Sequence, residues 1–343
     1  MPRLLYITPN VEDYAADGLL HGLRTLLGGD VLDFPKAEYL YTTMTPAARA
    51  RIRGGGFTLY GLLDDLPLER DHCLPRALAG EFDLVVFSDI WRTWGLFCEW
   101  GPRIHDAGVK IAILDGADRV EPYPFAGEWW RRRAWWFLPR AHTRGRYFKR
   151  EVTRWTRWFA TYLTCPPPLN RWRLRDIRPL AFSIPEEKIV ASPPLKDQDF
   201  PRHVVDAEVA ERLGGQTGHA FATEDEYVAD LRRSRFGITT KREGWDALRH
   251  YEIAAAGAVP CFRALSTKPP GCAPHGLDAT NSIDYADADD LLAQVAALTP
   301  ERYAELQAGA IAWARANSTV ARARWFLAEC GLTPPPAPDR APR

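Results

Sequence analysis

The sequence predicts an α/β protein built from two doubly wound, parallel-sheet domains that face each other across a cleft. Three observations predict it. Short apolar runs alternate with segments of helical periodicity, the pattern of βαβ units around a parallel sheet. The alternation occurs twice, before and after a break at Cys165-Pro166-Pro167-Pro168, which suits neither helix nor inner strand. The 343 residues exceed the about 100–200 that one domain uses, and a hydrophobic content of 46% fills two cores.

Arg3–Thr8 reads as an opening strand. A helix follows near Ala15–Leu27, where Leu19, Leu20, Leu23, Leu26 and Leu27 recur on one face. Gly28-Gly29 supplies its stop. Val31–Phe34 is a short second strand. Phe82–Ser88 is a third, nearly all apolar as a strand buried on both faces requires, and Val109–Leu114 is a fourth. After a linker at about 165–178, strands are expected at Pro179–Ile184, Lys188–Ala191, His219–Thr223, Phe236–Thr239, Ala258–Arg263 and Ser282–Tyr285. Helices are expected at Val204–Leu213, Glu224–Ser234, Ala247–Ala256, Ala288–Leu298 and Glu301–Asn317. The expected organisation is a domain over 1–170, a second over 171–318, a C-terminal helix over 319–332 and a disordered Pro-rich tail over 333–343.

Composition removes several function classes. Lys plus Arg (44) cancel Asp plus Glu (44), so no global field draws the molecule to a polyanion. No apolar run approaches the roughly 20 residues of a membrane span, and Met1–Ile7 lacks the apolar core of a signal peptide. The cysteines at 73, 98, 165, 261, 272 and 330 form no CxxC pair, which excludes a zinc ribbon and argues against a disulfide scaffold. A cytoplasmic protein is expected.

Ligands of open parallel sheets bind beyond the carboxyl ends of the strands. The residues that follow strands are therefore the candidates. Phe236–Thr239 runs into a polar loop holding Lys241, Glu243, Gly244, Trp245 and Asp246, then into a helix that Asp246 can cap and Gly257 can end. Trp245, Arg249 and Glu252, at i, i+4 and i+7, lie nearly on one stripe. A helix N-terminus with Lys241, Arg249 and His250 beside it suits a phosphate, and Glu252 suits sugar hydroxyls. The bland alternative is a charged helix on which Arg249 and Glu252 pair with each other at i, i+3.

Trp245, Arg249, His250, Tyr251, Glu252, Ile253, Gly257 and Pro260 resemble the donor-binding signature of group-1-like GT-B glycosyltransferases, W-x-x-x-R-H-Y-E-I followed by G-x-x-P. The resemblance implies the GT-B fold, two Rossmann-like domains facing each other across a cleft. It implies a nucleotide-sugar donor held mainly by the second domain, with Glu252 on the ribose or sugar and Arg249 and His250 on the diphosphate. Lys241, Glu243, Trp245 and Asp246 complete the implied donor set. Glu243 and Glu252 are separated by eight residues, where the broader group has seven between its two glutamates. No cofactor is implied, since the nucleotide-sugar is a substrate.

Leu114-Asp115-Gly116-Ala117-Asp118 follows a buried strand, so Asp115 and Asp118 are candidates to take a proton from an acceptor hydroxyl, or are simply cap and turn residues. Arg249 is the candidate for neutralising the leaving diphosphate. The spacing of these aspartates is DxxD rather than a metal-binding DxD, and Asp287-Ala288-Asp289 opens a helix, so no catalytic metal is expected. The resemblance further implies that Asp17 and Gly18, after the first strand, and Tyr147, Lys149 and Arg150 lie on the acceptor side of the cleft. The single glycine of the first loop departs from GxGxxG, which weakens a dinucleotide-dependent epimerase or dehydrogenase reading.

Charge is segregated along the chain. From Arg119 to Arg178 there are 15 Lys or Arg against 4 Asp or Glu, and seven of the 13 tryptophans. Within it, Trp129–Arg140 has three readings: a peripheral membrane contact at the inner face, nucleic-acid contact through stacking and phosphate pairing, or packing into a domain or dimer interface. The acceptors these readings carry are a cell-surface glycan, a lipid-linked glycan or a modified DNA base. The alternative function is a non-catalytic adaptor for nucleic acid or membrane surfaces on the same scaffold.

Overall fold

The computed structural model describes residues 1–52, 56–123, 145–158, 177–218 and 220–336. Trp129–Arg140, most of the break at 165–178, and 337–343 of the tail lie outside the described residues.

Among the described residues the first sheet has six parallel strands: β1 (Leu4–Ile7), β2 (Val31–Phe34), β3 (Leu84–Phe87), β4 (Lys110–Asp115), β5 (Arg146–Lys149) and β6 (Ile177–Pro179). Their order is β2-β1-β3-β4-β5-β6. The chain steps to one side of β1 and then continues on the other, so the strand order reverses between β1 and β3. All four residues of β1 and of β3 are buried, as expected of strands covered on both faces. Helix α1 (Tyr14–Leu27) follows β1 and is capped by Asp13, whose side chain accepts from the amides of Ala15 and Ala16. Gly28, at φ +55°, ends it.

Two short helices, α2 (Pro46–Arg49) and α3 (Cys73–Leu78), precede β3, and α4 (Ile90–Asp106) follows it. A single-turn helix, α5 (Arg154–Trp158), follows β5. Next come α6 (Ala207–Leu213) and α7 (Glu224–Arg233). The second sheet, among the described residues, has three parallel strands in the order β7-β8-β9: β7 (Phe236–Thr239), β8 (Val259–Arg263) and β9 (Ile283–Tyr285). Helix α8 (Leu248–Ala255) joins β7 to β8. Helices α9 (Ala288–Ala297), α10 (Pro300–Ala316) and α11 (Thr319–Glu329) complete the chain. Asp287 caps α9 through the amide of Asp290, so the DxD there serves the helix.

Three strand expectations are corrected. The strand expected over Pro179–Ile184 is Ile177–Pro179, and it extends the first sheet beside β5. Residues 186–188 form a 3-10 turn where a strand was expected to begin, and 220–223 form none. In both places apolar residues pack on helices: Ile189 joins the cluster of Ala254 and Ala255, and Phe221 that of Tyr227 and Leu231.

The C-terminal helix returns to the first domain. Helix α11 packs along α1, and a Cβ at Gly22 would collide with the carbonyl of Thr319. Ala323, Phe326 and Leu327 enter the same core as Leu19, Leu20 and Leu23. Two chain crossings run side by side between the domains: Ile184 donates to Asn317 O at 3.3 Å, and Thr319 donates to Ile184 O at 2.8 Å.

Candidate functional site

A cavity of about 700 Å³ opens between the two sheets. Asp118, Arg150 and Phe182 line it from the chain that builds the first sheet. Arg242, Glu243, Asp246, Arg249 and Glu252 line it from β7–α8, with Phe221 and Tyr227 nearby. A second cavity of about 730 Å³ lies under β9, lined by Leu265, Lys268, Asp284 and Arg302, and none of the candidate residues reaches it.

The first turn of α8 contributes Leu248 and Arg249 to the cleft wall, so the partial positive charge of a helix N-terminus lies at the cavity. Arg249 is half-buried, and among the described residues its guanidinium makes no hydrogen bond or ion pair. It does not pair with Glu252. The carboxylate of Glu252 accepts instead from the Tyr227 hydroxyl at 2.7 Å and from the Thr58 hydroxyl. Thr58 comes from the β2–β3 connection. Its backbone N–H donates to Glu224 at 3.0 Å, and Glu224 also accepts from Lys188 at 2.7 Å. Thr58 has φ +73°, a left-handed conformation that costs a β-branched residue about 1–2 kcal/mol. The ring of Phe57 stacks on that of Tyr227, at a centroid separation of 6.3 Å and 25° between planes.

The loop after β7 is gripped from the opposite wall by Arg150 and Glu151, which directly follow β5. Arg150 is 2% exposed and lies 4.5 Å over the Phe182 ring. It donates to Gly116 O at 2.9 Å and Asp246 O at 3.0 Å, and it pairs with Asp118. Glu151 accepts from the Trp245 amide at 2.9 Å. Gly244 admits no side chain here, because a Cβ would lie 2.7 Å from the Glu151 carboxylate. Asp246 does not cap α8. Its carboxylate accepts from the Phe182 amide at 2.7 Å and the Tyr251 hydroxyl at 3.0 Å. Burial pushes its pKa up to about 6, and Arg150 acts in the opposite direction.

Several expected site residues lie elsewhere. Asp115 is fully buried and accepts from Tyr147 OH at 2.6 Å, Lys149 at 3.1 Å and Trp91 Nε1 at 2.9 Å. It organises the interior of the first sheet and presents nothing to an acceptor. Tyr147 and Lys149, expected in the cleft, are strand residues buried with it. Asp17 and Gly18 are also interior. Asp17 accepts from the Asp13 amide at 2.8 Å and from the hydroxyls of Tyr39 and Tyr60 at 3.2 Å, while Gly18 packs on Ser183.

His250 is likewise fully buried, stacked on Phe262 at 4.6 Å. Its Nε2 faces Trp245 O at 3.0 Å and its Nδ1 faces Thr239 Oγ1 at 2.8 Å. A carbonyl only accepts, so Nε2 carries the proton and Nδ1 accepts from the threonine. Burial lowers the pKa to about 3, so the ring is neutral and offers no charge to a phosphate. Its work is to hold the loop at Trp245. Lys241 and Trp245 contact each other, at 5.7 Å from ammonium to ring, and line a separate surface hollow with Arg263 and Pro269.

The expected residues brought together are therefore Asp118, Arg150, Glu243, Asp246, Arg249 and Glu252. Phe57, Thr58, Phe221 and Tyr227 are additions that no motif announced. Asp89, which follows β3, does not line this cavity. It is 5% exposed, adopts φ +44° and pairs with Arg92, and burial followed by the nearby Asp13 raises its pKa. Among the described residues no group of three or more His, Cys, Asp or Glu side chains is placed to hold a metal ion, and no helix is long and apolar enough to cross a membrane.

No family model matches the chain, and no curated protein matches it in sequence. Solved structures match it in shape. HepE of Anabaena, determined in complex with UDP, aligns over 96% of this chain and 100% of its own at 9% identity, with a TM-score of 0.54. A glycosyltransferase of Rickettsia africae aligns over 96% and 97% at 9% identity and a TM-score of 0.53. The trehalose-6-phosphate synthase OtsA aligns over 97% and 100% at 12% identity and a TM-score of 0.53. The likeness is one of fold and extends over nearly the whole chain, and the fold is GT-B, as expected.

Proposed function

We propose that this chain is a glycosyltransferase that moves a sugar from a nucleotide-sugar donor to an acceptor hydroxyl. The observation that carries the reading is a cation, without a hydrogen-bond or ion-pair partner among the described residues, beside a carboxylate on one face of α8. Arg249 and Glu252 line the same interdomain cavity, at a helix N-terminus, on a GT-B scaffold. A nucleoside diphosphate needs these partners in this order: cationic donors for the phosphates, then an acceptor for ribose hydroxyls. The aromatic pair Phe221 and Tyr227 beside Glu252 supplies apolar surface for a base. UDP and UDP-glucose in the HepE structures support the same class of donor.

The chemistry then follows from charge. As the bond between sugar and diphosphate breaks, negative charge grows on the leaving oxygen. Arg249, Arg242 and the α8 N-terminus stabilise it, and such preorganised stabilisation is commonly the largest catalytic contribution. Asp118 is the carboxylate on the opposite wall and the better of the two expected candidates for the acceptor hydroxyl, since Asp115 is sealed inside the sheet. Closure of the two domains would exclude water and limit donor hydrolysis.

A thermal-shift panel with UDP, GDP, ADP and dTDP tests the reading. At 100 times its Kd a nucleotide adds about 2.7 kcal/mol of stability. Selective stabilisation by one base, lost in Arg249→Ala and Glu252→Ala, is the expected result. Equal responses in the wild type and both variants would refute the placement on α8.

A further inference from the structure

We propose that Phe57-Thr58 is a built-in surrogate for the donor nucleoside, one that occupies Glu252 until the nucleotide displaces it. The proposal rests on the donor reading of the cleft given above. Glu252 meets a flat ring system and a hydroxyl donor: Phe57 stacks on Tyr227, whose own hydroxyl binds one Glu252 oxygen, and the next residue, Thr58, gives its hydroxyl to the other. A base followed by a ribose hydroxyl presents the same two features in the same order.

Beyond the hydroxyl, the Thr58 amide is tied to Glu224, which Lys188 fixes in turn. The left-handed backbone of Thr58 is uphill for a β-branched side chain, so it persists only while these bonds impose it. A ribose brings two hydroxyls to a carboxylate that Thr58 serves with one. The nucleotide therefore competes well for Glu252, and the departing loop relaxes its backbone. Until then the measured affinity is reduced by the fraction of molecules with Thr58 engaged.

Calorimetric titration of the full chain with UDP, GDP, ADP and dTDP tests this in wild type, Thr58→Ala, Thr58→Ser and Glu224→Ala. Thr58→Ala should tighten binding of the recognised nucleotide by about tenfold, the scale of one hydrogen bond to a charged group. Glu224→Ala, which leaves Glu252 and its hydroxyl partners intact, should tighten it about threefold. Thr58→Ser keeps the hydroxyl and should stay within about twofold of wild type. Hydrogen exchange at the Thr58 amide should become faster when nucleotide is added, opposite to the usual protection by a ligand. Unchanged or weaker binding in Thr58→Ala, tightening in Thr58→Ser equal to that in Thr58→Ala, or slower exchange at Thr58 would overturn the surrogate while leaving the donor site standing. If Thr58→Ala does not fold, Glu224→Ala and the exchange measurement decide in its place. Binding of no nucleotide by any of the four proteins would overturn the donor reading and the surrogate together.

Discussion

Arg150→Met removes a charge from the interdomain wall while keeping an unbranched apolar stem over Phe182. The guanidinium it deletes is 2% exposed and serves four groups: the carbonyls of Gly116 and Asp246 and the carboxylates of Asp118 and Glu151. Asp118 is solvent-exposed and loses little. Glu151 is 2% exposed and would be left as a buried charge without this cation, held by the Trp245 and Asp246 amides and the Cys272 thiol. Breaking a buried pair from one side costs about 3–5 kcal/mol. Part of the penalty is recovered if water enters, since the site borders a cavity, so about 3 kcal/mol is the expected net loss. Urea unfolding at pH 7 reads it as a lower midpoint.

The loss should also shrink as the pH falls through about 6, where Asp246 takes up a proton and no longer requires a neighbouring cation. A loss below about 1 kcal/mol, or one independent of pH between 7 and 5, would refute the role of Arg150 as the clamp on the loop after β7.

Three further outcomes follow from the same geometry. Arg249→Ala should leave stability within about 0.5 kcal/mol of wild type, because among the described residues the guanidinium has no hydrogen-bond or ion-pair partner to abandon, yet lower turnover at least about tenfold; steady-state kinetics beside urea unfolding separates the two. His250 is neutral when folded, with its pKa lowered to about 3, so between there and its ordinary value the unfolded chain binds more protons and stability falls as the pH drops. The stability advantage of wild type over His250→Gln should therefore shrink by about 1 kcal/mol per pH unit between pH 6 and 4, measured by urea unfolding; a constant difference would contradict burial of a neutral ring. Gly22→Val sets a branched side chain against the Thr319 carbonyl and should destabilise the chain by about 3 kcal/mol, seen as a lowered midpoint.

Local signals in the sequence were legible where the chain's own neighbours decide the structure. Phe236–Thr239 is the strand expected, and α8 and β8 fall within a residue of their expected ends, since a buried run, a glycine exit and helical spacing are all short-range. The placement of Arg249 and Glu252 on one cavity wall was legible in the same stretch. Partners far away in sequence were not legible. Asp115 looks like a mouth residue until Lys149, 34 positions on, pairs with it in the interior. Arg146-Tyr147-Phe148-Lys149 reads as part of a basic run, yet it is an inner strand, because pairing with β4 and β6 outweighs the two charges at its ends. Charge counting likewise made His250 a cation, whereas burial removes its proton. Thr58 carries no signature, and its importance comes from Glu224 and Glu252, more than 160 positions away.

The return of α11 to α1 means that the molecule cannot be dissected at its central break. A fragment ending near residue 184 would keep the whole first sheet yet expose the apolar face of α1, including Leu19, Leu20 and Leu23, which the last helix covers. Such a fragment should aggregate when expressed alone, and adding residues 319–329 as a separate peptide should restore its solubility. The same seam sets the behaviour under limited proteolysis. A single cut between the domains leaves a second crossing strand in place, so nicked protein should elute intact until it is denatured.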